Sequence, residues 1–344
     1  MLELKNIIKT YDGKKIIQDI NLTIKKNEFT ILLGPSGCGK STLLKIISGI
    51  VSADTGEVWL DKKNISNEAI NKRDIVIMFQ EHNLFPHMNV FDNVGFALKM
   101  KKEKPELIKT RVNELLKMVK LEDQARKFPA QLSGGQKQRV AIIRALAVLP
   151  KLLLLDEPFS NLDISLRAEM QELIKEVQKQ TRVTMLMVTH DKNEAFLLAD
   201  KLAIMLDKKI VQFDFPEKIY KTPASMDVAN FFGNSNYLHG KIKDNFFSSD
   251  VFNFKLDKCN GENKIEGECI LLLRPENISP DKNGVEFKIT NKEFFGDRTL
   301  WELSKNNFKL KSYNLLSDSK INETVKISFK NDNVVFFNCK GEGV

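Results

Sequence analysis

The chain contains 344 residues, 42% of them hydrophobic, which is enough for about two domains with proper cores. It holds no apolar run of about 18 residues and no signal-peptide pattern behind Met1, so we expect a soluble, cytoplasmic protein without a membrane span of its own. Its four cysteines form no C-x-x-C pair, which argues against a disulfide framework or a zinc site, and its net charge of +8 is spread along the chain, which favours a compositional bias over a surface for nucleic acid or an anionic membrane.

The first predicted elements are two short strands, at residues 2–8 and 20–24, with a turn at Asp12-Gly13 between them. Apolar and polar residues alternate in both segments, as they do in a strand with one buried face. Tyr11 lies at the turn. An aromatic residue there either packs in the ordinary way or stacks on a base, and the pattern leaves both interpretations open.

A glycine-rich segment follows the apolar strand predicted at residues 29–33 and precedes an amphipathic helix. Gly34, Gly39, Lys40 and Ser41 fit the spacing G-x-x-x-x-G-K-[ST]. Glycines let the backbone curl with its N–H groups pointing inward, and a helix N-terminus adds a positive dipole end. We therefore expect a polyphosphate cradle rather than a plain glycine turn, with the Lys40 ammonium on the outer phosphates and the Ser41 hydroxyl on Mg²⁺. The candidate loop comprises Gly34, Pro35, Ser36, Gly37, Cys38, Gly39, Lys40, Ser41 and Thr42.

A helical region is predicted from about residue 86 to 148, after a buried strand at residues 74–80 that ends in Gln80. Apolar residues at spacings of three and four mark one buried face of this region: Ile108, Val112, Leu115, Leu116 and Val119. Ser133 and a pair of glycines stand just ahead of the helix predicted at residues 140–149. Ser133 can cap this helix, and the glycines would admit an anion at its N-terminus; on local grounds the plain cap is favoured.

Two further apolar strands end in residues that suit catalysis. The strand at residues 151–156 closes with Asp156 and Glu157, and the strand at residues 183–188 leads to His190. Continuous apolar strands belong in the middle of a parallel sheet, where ligands bind at the carboxyl ends. Because neighbouring strand residues face opposite ways, one carboxylate suits the Mg²⁺ side and the other can orient a water molecule. Solvated strand caps and a structural histidine are the alternatives.

The remaining predicted elements complete this alternation and then change in character. A helix at residues 164–180 turns four apolar side chains inward, and a helix at 193–198 and a strand at 202–206 follow it. Beyond about residue 235, short strand-like runs at 270–273, 285–289, 325–329 and 334–337 alternate with polar turns. This spacing predicts a small antiparallel β-barrel or sandwich. The inward side chains of the helix are Met170, Leu173, Ile174 and Val177.

The ordered motifs closely resemble those of the nucleotide-binding subunits of ABC transporters. The resemblance covers a Walker A motif at residues 34–42, a Q-loop Gln80, a signature at residues 132–136, a Walker B motif at residues 152–157, a D-loop at residues 160–163 and a switch His190. The tail is similar to the accessory β-domain of bacterial importer subunits, on the strength of residues 228–233 and 273–278.

The resemblance implies an α/β fold: a P-loop NTPase cassette with a RecA-like core, an antiparallel β subdomain and a helical subdomain at about residues 86–148. The cassette would span residues 1–234, and a small β-barrel or OB-like accessory domain would span residues 235–344. It also implies an ATPase that serves as the motor subunit of an importer for a small solute, such as sulfate, ferric iron, a polyamine, molybdate or a sugar. The segment at residues 128–133 and the short tail favour the sulfate-type or ferric-iron-type subunits over the sugar type.

The resemblance further implies a role for each candidate residue. Tyr11 would stack on adenine, the loop at residues 34–42 would bind the phosphates of ATP, and Asp163 of the D-loop would belong to the nucleotide site. Mg²⁺ would be held by Ser41, Gln80 and Asp156. Glu157 would be the general base, with His190 and Gln80 acting on the γ-phosphate. The signature residues would cover the ATP of a second subunit in a homodimer: Ser133, Gly134, Gly135 and Gln136.

The expected partners follow from the same resemblance. They are integral-membrane permease subunits, a second copy of the chain and, indirectly, a solute-binding protein, with the chain peripheral on the cytoplasmic face of the membrane. Permease contact is expected near residues 84–90, so Phe85 and Met88 should be partly exposed. No nucleic-acid partner is expected. One alternative is a non-transport ABC ATPase acting on nucleic acid or ribosomes, which a single cassette with a β-tail disfavours. Another is a regulatory ATP-binding module, which the intact Glu157 and His190 disfavour.

Overall fold

The computed structural model describes residues 1–79, 84–160, 162–256, 266–315, 318–329 and 334–343. The chain forms two compact units, Met1–Pro216 and Glu217–Val344. In chain order the strands of the first unit are β1 (Leu2–Tyr11), β2 (Lys14–Ile24), β3 (Phe29–Leu33), β4 (Thr55–Leu60), β5 (Lys63–Asn64), β6 (Ile75–Met78), β7 (Leu152–Asp156), β8 (Thr184–Thr189), β9 (Lys201–Leu206) and β10 (Lys209–Asp214). Its α-helices are α1 (Lys40–Ser48), α2 (Val90–Met100), α3 (Pro105–Met118), α4 (Gly134–Leu146), α5 (Ile164–Thr181) and α6 (Lys192–Leu198).

The central sheet of the first unit has the strand order β10-β9-β3-β8-β7-β6. Its pairs are parallel except at the β10 edge, where β10 runs antiparallel to β9. Strands β3, β7 and β8 are mostly apolar and buried along almost their whole length, because both faces of a parallel sheet are covered. Since β8 lies between β3 and β7, the loop after β8 emerges between the glycine-rich loop and the Walker B carboxylates.

A second sheet of this unit is antiparallel, with the strand order β2-β1-β4-β5. Its hairpin pairs Leu2 with Ile24 and Tyr11 with Lys14. Apolar side chains of this sheet join one hydrophobic core with Leu43 and Ile47 of α1 and with inward side chains of the central sheet. Helix α1, which follows the glycine-rich loop, is therefore fixed by buried apolar contacts on its far side.

Helices α2, α3 and α4 form the helical region expected from the sequence. The apolar face predicted for α3 and the turn after it is confirmed, because all five residues on that face are buried. Asn93 of α2 is fully buried, and its amide bonds the N–H and carbonyl of Phe85 and the carbonyl of Met88. This amide fixes the turn ahead of α2. Phe85 and Met88 are half-buried there, as expected.

The second unit begins within the short helix α7 (Pro216–Lys221), and the short helix α8 (Met226–Phe231) follows. Its strands pair antiparallel into two sheets, of order β13-β12-β11-β14-β19 and β17-β16-β15-β18. Side chains from both sheets, including Phe247, Phe287 and Trp301, form one core, so the predicted antiparallel β fold is confirmed. The strands are β11 (Asn236–Lys243), β12 (Phe246–Ser248), β13 (Asn253–Lys255), β14 (Gly267–Leu273), β15 (Ile278–Phe294), β16 (Thr299–Lys305), β17 (Phe308–Ser312), β18 (Thr324–Phe329) and β19 (Val335–Phe337).

The two compact units divide upstream of the expected domain boundary near residue 235. Helix α8 belongs by its packing to the second unit, because Ala229 and Met226 contact a small core with Ile270, Leu272 and Phe337. The boundary between residues 234 and 235 stays a prediction. In the part of the chain that the structure describes, no helix combines the length and apolarity needed to cross a bilayer.

Candidate active site

The glycine-rich loop between β3 and α1 is shaped by close backbone contacts. Gly39 has φ +106°, and a Cβ placed on it would lie 2.6 Å from the carbonyl oxygen of Ile16. A Cβ on Gly34 would lie 2.3 Å from the carbonyl oxygen of Met205. Only glycine fits at these two positions. Helix α1 has no side-chain cap, so its first N–H groups are left for a ligand.

Lys40, the first residue of α1, folds back over this loop. Its side chain is only 5% exposed, and its Nζ donates to the carbonyl oxygens of Gly34 and Pro35, both at 2.8 Å. An ammonium group has three protons, and these two bonds use two of them. The sequence therefore places a positive charge at the mouth of the loop, with a donor left for an anion. Cys38 is buried beside it, and burial raises the pKa of its thiol.

Ser41 and Asp156 bring an oxygen pair to the same edge. The Ser41 hydroxyl donates to Oδ1 of Asp156 at 2.9 Å. Burial raises the pKa of the Asp156 carboxyl, and the hydrogen bond from Ser41 opposes that rise. In the described residues no three His, Cys, Asp or Glu side chains cluster as a metal cage. A hydroxyl and one carboxylate nevertheless fit Mg²⁺, which usually takes one or two carboxylates together with substrate phosphates and water.

Glu157 faces a different partner from its neighbour Asp156, as expected. Its Oε2 lies 3.2 Å from Nδ1 of His190, and its backbone N–H donates to the carbonyl of Val188 at 3.0 Å. Glu157 has φ +46°, a left-handed conformation that is uncommon outside glycine and that turns the side chain off the strand. A cavity of about 60 Å³ adjoins the pair; its lining is Glu157, Ser160, Arg167, Thr189, His190, Asp191 and Glu194.

The signature residues lie elsewhere in the unit, at the start of α4. Ser133 is the N-cap: its Oγ accepts from the N–H of Gln136 at 3.3 Å, and Oε1 of Gln136 accepts from the N–H of Ser133 at 3.0 Å. The predicted cap is therefore confirmed. Ser133 and Gly134 are exposed, and Gly135 is buried. Among the described residues, no hydrogen bond or ion pair joins this segment to the loop at residues 34–42.

The outlying candidates are also positioned by their own elements. Tyr11 pairs with Lys14 and is therefore the last residue of β1, not a turn residue as expected. Its ring is 43% exposed, and Nζ of Lys9 lies 5.3 Å from the ring centroid. Asp163 is the N-cap of α5, and its carboxylate accepts from the N–H of Leu166 at 2.9 Å and from the Ser165 hydroxyl at 2.8 Å. These two hydrogen bonds lower the pKa of the carboxyl. Gln80 lies outside the described residues, as does the second residue of the D-loop.

Four polar residues near the site were missed in the sequence. Gln138 of α4 is fully buried, and its amide donates to the carbonyl of Pro158, which ties the helix to the segment after β7. Arg167, Thr189 and Glu194 line the cavity beside the Glu157–His190 pair. A signal existed only for Glu194, which stands three residues after Asp191, the spacing of a capping box. In the structure, Glu194 accepts from the Thr189 hydroxyl instead.

Comparison with known proteins agrees with this geometry. A family model described as "ABC transporter" matches residues 17–160. The spermidine/putrescine import ATP-binding protein PotA of Borrelia garinii subsp. bavariensis is 42% identical over 342 residues, which cover 97% of each chain. The Fe(3+) ions import ATP-binding protein FbpC of Photobacterium profundum is 42% identical over 275 residues, which cover 80% of this chain and 78% of the relative.

Two solved structures share the fold of the first unit. One is the dimeric, post-hydrolysis ATP-binding cassette MJ0796 bound to ADP and Pi, with a TM-score of 0.56 and 35% identity over 63% of this chain and 99% of that one. The other is cbiO1 of Clostridium perfringens, part of the ABC transporter complex cbiONQ, with a TM-score of 0.60 and 34% identity over 64% and 90%. Full-length relatives, the matched family model and the shared cassette fold give one conclusion: the chain belongs to the ABC transporter family, as an ATP-binding, ATP-hydrolysing subunit of the importer type.

Proposed function

We propose that two copies of this chain bind two ATP molecules with Mg²⁺ on the cytoplasmic face of the membrane, and that dimer closure and hydrolysis drive uptake of a polyamine through permease subunits. One observation carries the proposal. The carboxyl ends of β3, β7 and β8 bring the Lys40 loop, the Ser41–Asp156 pair and the Glu157–His190 pair to one edge of the sheet.

Binding of the triphosphate follows from the loop. Its glycines let backbone N–H groups face the phosphates, the uncapped N-terminus of α1 favours negative charge, and Lys40 adds a full positive charge. Ser41 and Asp156 would hold Mg²⁺ beside them, and Gln80 completes the set that we propose. When bound, Mg²⁺ would supply positive charge against the negative charge that develops on the phosphate oxygens.

Hydrolysis is assigned to the Glu157–His190 pair. Glu157 orients the attacking water and takes up its proton, and the imidazole beside it contacts the γ-phosphate. Phosphoryl transfer has a loose transition state, so positioning and charge stabilisation account for most of the catalysis.

The second copy supplies the signature segment. The N-terminus of α4 begins with Ser133, Gly134, Gly135 and Gln136, of which Ser133 and Gly134 are exposed, and an N-terminus of this kind suits an anion. The MJ0796 cassette is described as dimeric with ADP and Pi bound, which supports a two-chain site. We propose that Asp163, at the start of α5, and Tyr11 complete that site, with Tyr11 stacked on adenine.

A polyamine is the proposed cargo because of how far each match extends. PotA relatives from Borrelia and Mycoplasma match over 97% of this chain, including the β unit, whereas the FbpC relatives match over 80–82%. The full-length matches therefore favour a polyamine over the sulfate-type or ferric-iron-type systems that the short segments favoured. The cargo itself would contact the solute-binding protein and the permease rather than this chain.

Permease contact is proposed at the turn ahead of α2. Phe85 and Met88 are half-buried, and the buried amide of Asn93 holds their backbone, so a fixed apolar surface faces outward. We expect Phe85→Asp to abolish co-purification with the cognate permease while ATP binding by the chain is kept. Unchanged co-purification would place the contact elsewhere.

The full motor is tested in proteoliposomes that contain the chain, its permease subunits and the solute-binding protein. Spermidine or putrescine should stimulate ATP hydrolysis and accumulate inside, whereas sulfate and Fe³⁺ should not. Glu157→Gln should lower the rate of ATP hydrolysis by about 100-fold or more. It should also trap an ATP-bound dimer, which light scattering would detect. Wild-type turnover in Glu157→Gln would overturn the assigned base, and stimulation by sulfate or Fe³⁺ alone would overturn the cargo.

A further inference from the structure

The loop that carries His190 is held by buried polar contacts that the hydrolysis step does not use. Thr189, directly before His190, is fully buried, and its hydroxyl donates to Oε2 of Glu194 at 2.6 Å. The same hydroxyl oxygen accepts from the N–H of Asp191 at 3.0 Å. Both neighbours of His190 are therefore tied to one hydroxyl group, so the position of the imidazole depends on it.

Glu194 is an unusual residue in this place, because its side chain is only 4% exposed. Burial raises the pKa of its carboxyl, while the Thr189 hydroxyl and the nearby charges of Arg167 and His190 oppose the rise. Taking a carboxyl out of water is costly unless its hydrogen bonds are satisfied. A buried carboxyl that is kept beside the catalytic pair calls for a function, and holding Thr189 provides one.

Asp191 and Arg167 extend these contacts to the D-loop. Oδ1 of Asp191 caps α6, and its Oδ2 lies 3.4 Å from Nη1 of Arg167 on α5. Nη2 of Arg167 donates to the carbonyl of Leu162 at 3.4 Å. One guanidinium thus joins the segment in front of α5 to the loop that carries His190. Planar guanidinium groups suit this, because they present donors in a fixed arrangement.

We propose that Thr189, Asp191, Glu194 and Arg167 form a clasp that positions His190 against Glu157 and couples its position to the D-loop segment at Leu162 and Asp163. This inference rests on the proposed function, since it presumes that His190 and Glu157 act in hydrolysis. The clasp residues are positioning residues: they reach the reacting atoms only through His190. A shift of the D-loop on dimer closure then moves His190 through Arg167 and Asp191.

Removal of the Thr189 hydroxyl separates positioning from binding. Thr189→Val keeps the shape of the side chain, leaves Glu194 without its donor and releases the N–H of Asp191. We expect kcat for ATP to fall by about 10- to 100-fold, because misplacement of a catalytic group by about 1 Å costs up to that much. KM for ATP should stay within about twofold, since the phosphate loop is untouched. Thr189→Ser keeps the hydroxyl and should retain wild-type kcat within about threefold.

A double-variant series shows whether the effect passes through His190. If it does, Thr189→Val combined with His190→Ala is no slower than His190→Ala alone, because the clasp then has nothing to position. Arg167→Lys should act in the same way as Thr189→Val, since a lysine cannot bond both Leu162 and Asp191. Losses that multiply in the double variants would overturn the clasp and leave a general structural role.

Hydrogen exchange gives a second readout that needs no turnover. Amides at residues 189–194 should exchange faster in Thr189→Val than in wild-type protein or Thr189→Ser, whereas amides of β7 should not change. Wild-type protein that fails to hydrolyse ATP would overturn the proposed function, and the exchange data would still decide the clasp. Equal kcat and equal exchange in Thr189→Val and wild type would overturn the clasp alone.

Discussion

The phosphate loop and the signature segment are both glycine-rich turns into a helix, yet they differ in what their glycines meet. In the phosphate loop, a Cβ on Gly34 or Gly39 would strike backbone carbonyl oxygens of the same chain. In the signature segment, a Cβ on Gly134 would meet nothing within 4 Å, and one on Gly135 would meet only the Leu166 side chain. Contacts within the chain therefore fix the backbone of the phosphate loop, whereas the signature segment leaves open space beside Gly134.

The helix starts differ in the same sense. Helix α1 starts at Lys40, its N-cap residue Gly39 offers no side-chain cap, and the Lys40 side chain turns back over the loop. Helix α4 is closed by the reciprocal bonds of Ser133 and Gln136. The N–H groups of an uncapped start are left for water or a ligand, whereas a capped start satisfies some of them within the chain. This contrast supports our proposal that ATP completes the loop at residues 34–42, whereas the start of α4 is complete within its own chain.

The largest effect is expected on the phosphate loop itself. Lys40→Ala removes the buried ammonium that we propose binds the phosphates, so we expect the Kd for MgATP to rise by about 100-fold and hydrolysis to become undetectable. Fluorescent-nucleotide titration measures the first effect. The control is Lys179→Ala on the exposed face of α5, which should bind as wild type. Unchanged affinity in Lys40→Ala would mean that the loop is not the phosphate site.

A change in the signature segment should lower hydrolysis while leaving ATP binding by the chain intact. Gly134→Arg has open space within its own chain, so folding and the Kd for ATP should stay within about threefold of wild type. Hydrolysis should fall by about 100-fold, because the arginine would block the face that we propose covers the partner's ATP.

Mixing the two inactive variants tests that explanation directly. A heterodimer of Lys40→Ala and Gly134→Arg chains contains one composite site with neither change, so mixing should restore part of the hydrolysis. Each variant mixed with itself is the control and should stay inactive. Activity that does not return on mixing, although light scattering shows mixed dimers, would contradict a site shared between chains.

Much of this site follows from local rules that the sequence displays. Glycine spacing, the cap at Ser133 and the opposite facing of Asp156 and Glu157 each depend on a few adjacent residues, so they could be predicted. The contacts of Gln138 with Pro158 and of Arg167 with Asp191 join residues 20 and 24 positions apart, and no local pattern marks such pairs. Strands β10, β11, β16 and β17 are not among the predicted strands. Polar residues interrupt the alternation in β10, β11 and β16, whereas β17 alternates but is only five residues long, and pairing with neighbouring strands supports all four.

Asp156→Asn should affect stability and turnover in opposite directions. Burial raises the pKa of Asp156 above its ordinary 3.8, so the folded chain binds this proton more tightly than the unfolded chain. The free energy of unfolding therefore falls as pH rises from about 3.8 through the raised pKa, and it stays lower above that value. Asparagine does not titrate, and it can still accept from Ser41.

The measurement compares melting temperatures of Asp156→Asn and wild type without metal or nucleotide between pH 4 and pH 8. The variant should melt higher than wild type at neutral pH, and the difference should shrink towards acid pH. Its Mg²⁺-dependent hydrolysis should fall by about 100-fold. A lower melting temperature of Asp156→Asn than of wild type at neutral pH would contradict this prediction. It would show that the Asp156 carboxylate stabilises the metal-free fold.

The smallest effect is expected at Tyr11. Its ring is 43% exposed and lies next to the Lys9 ammonium. An exposed ring of this kind can stack on a base without first breaking buried contacts. Stacking of a base on an aromatic ring contributes about 1–3 kcal/mol, and at this exposure we expect the lower limit. Tyr11→Ala should therefore raise the Kd for ATP by about fivefold, and Tyr11→Phe should leave it within about twofold. Because stacking does not distinguish bases, GTP should lose affinity to the same extent. A loss in Tyr11→Phe equal to that in Tyr11→Ala would show that the hydroxyl, and not the ring, makes the contact.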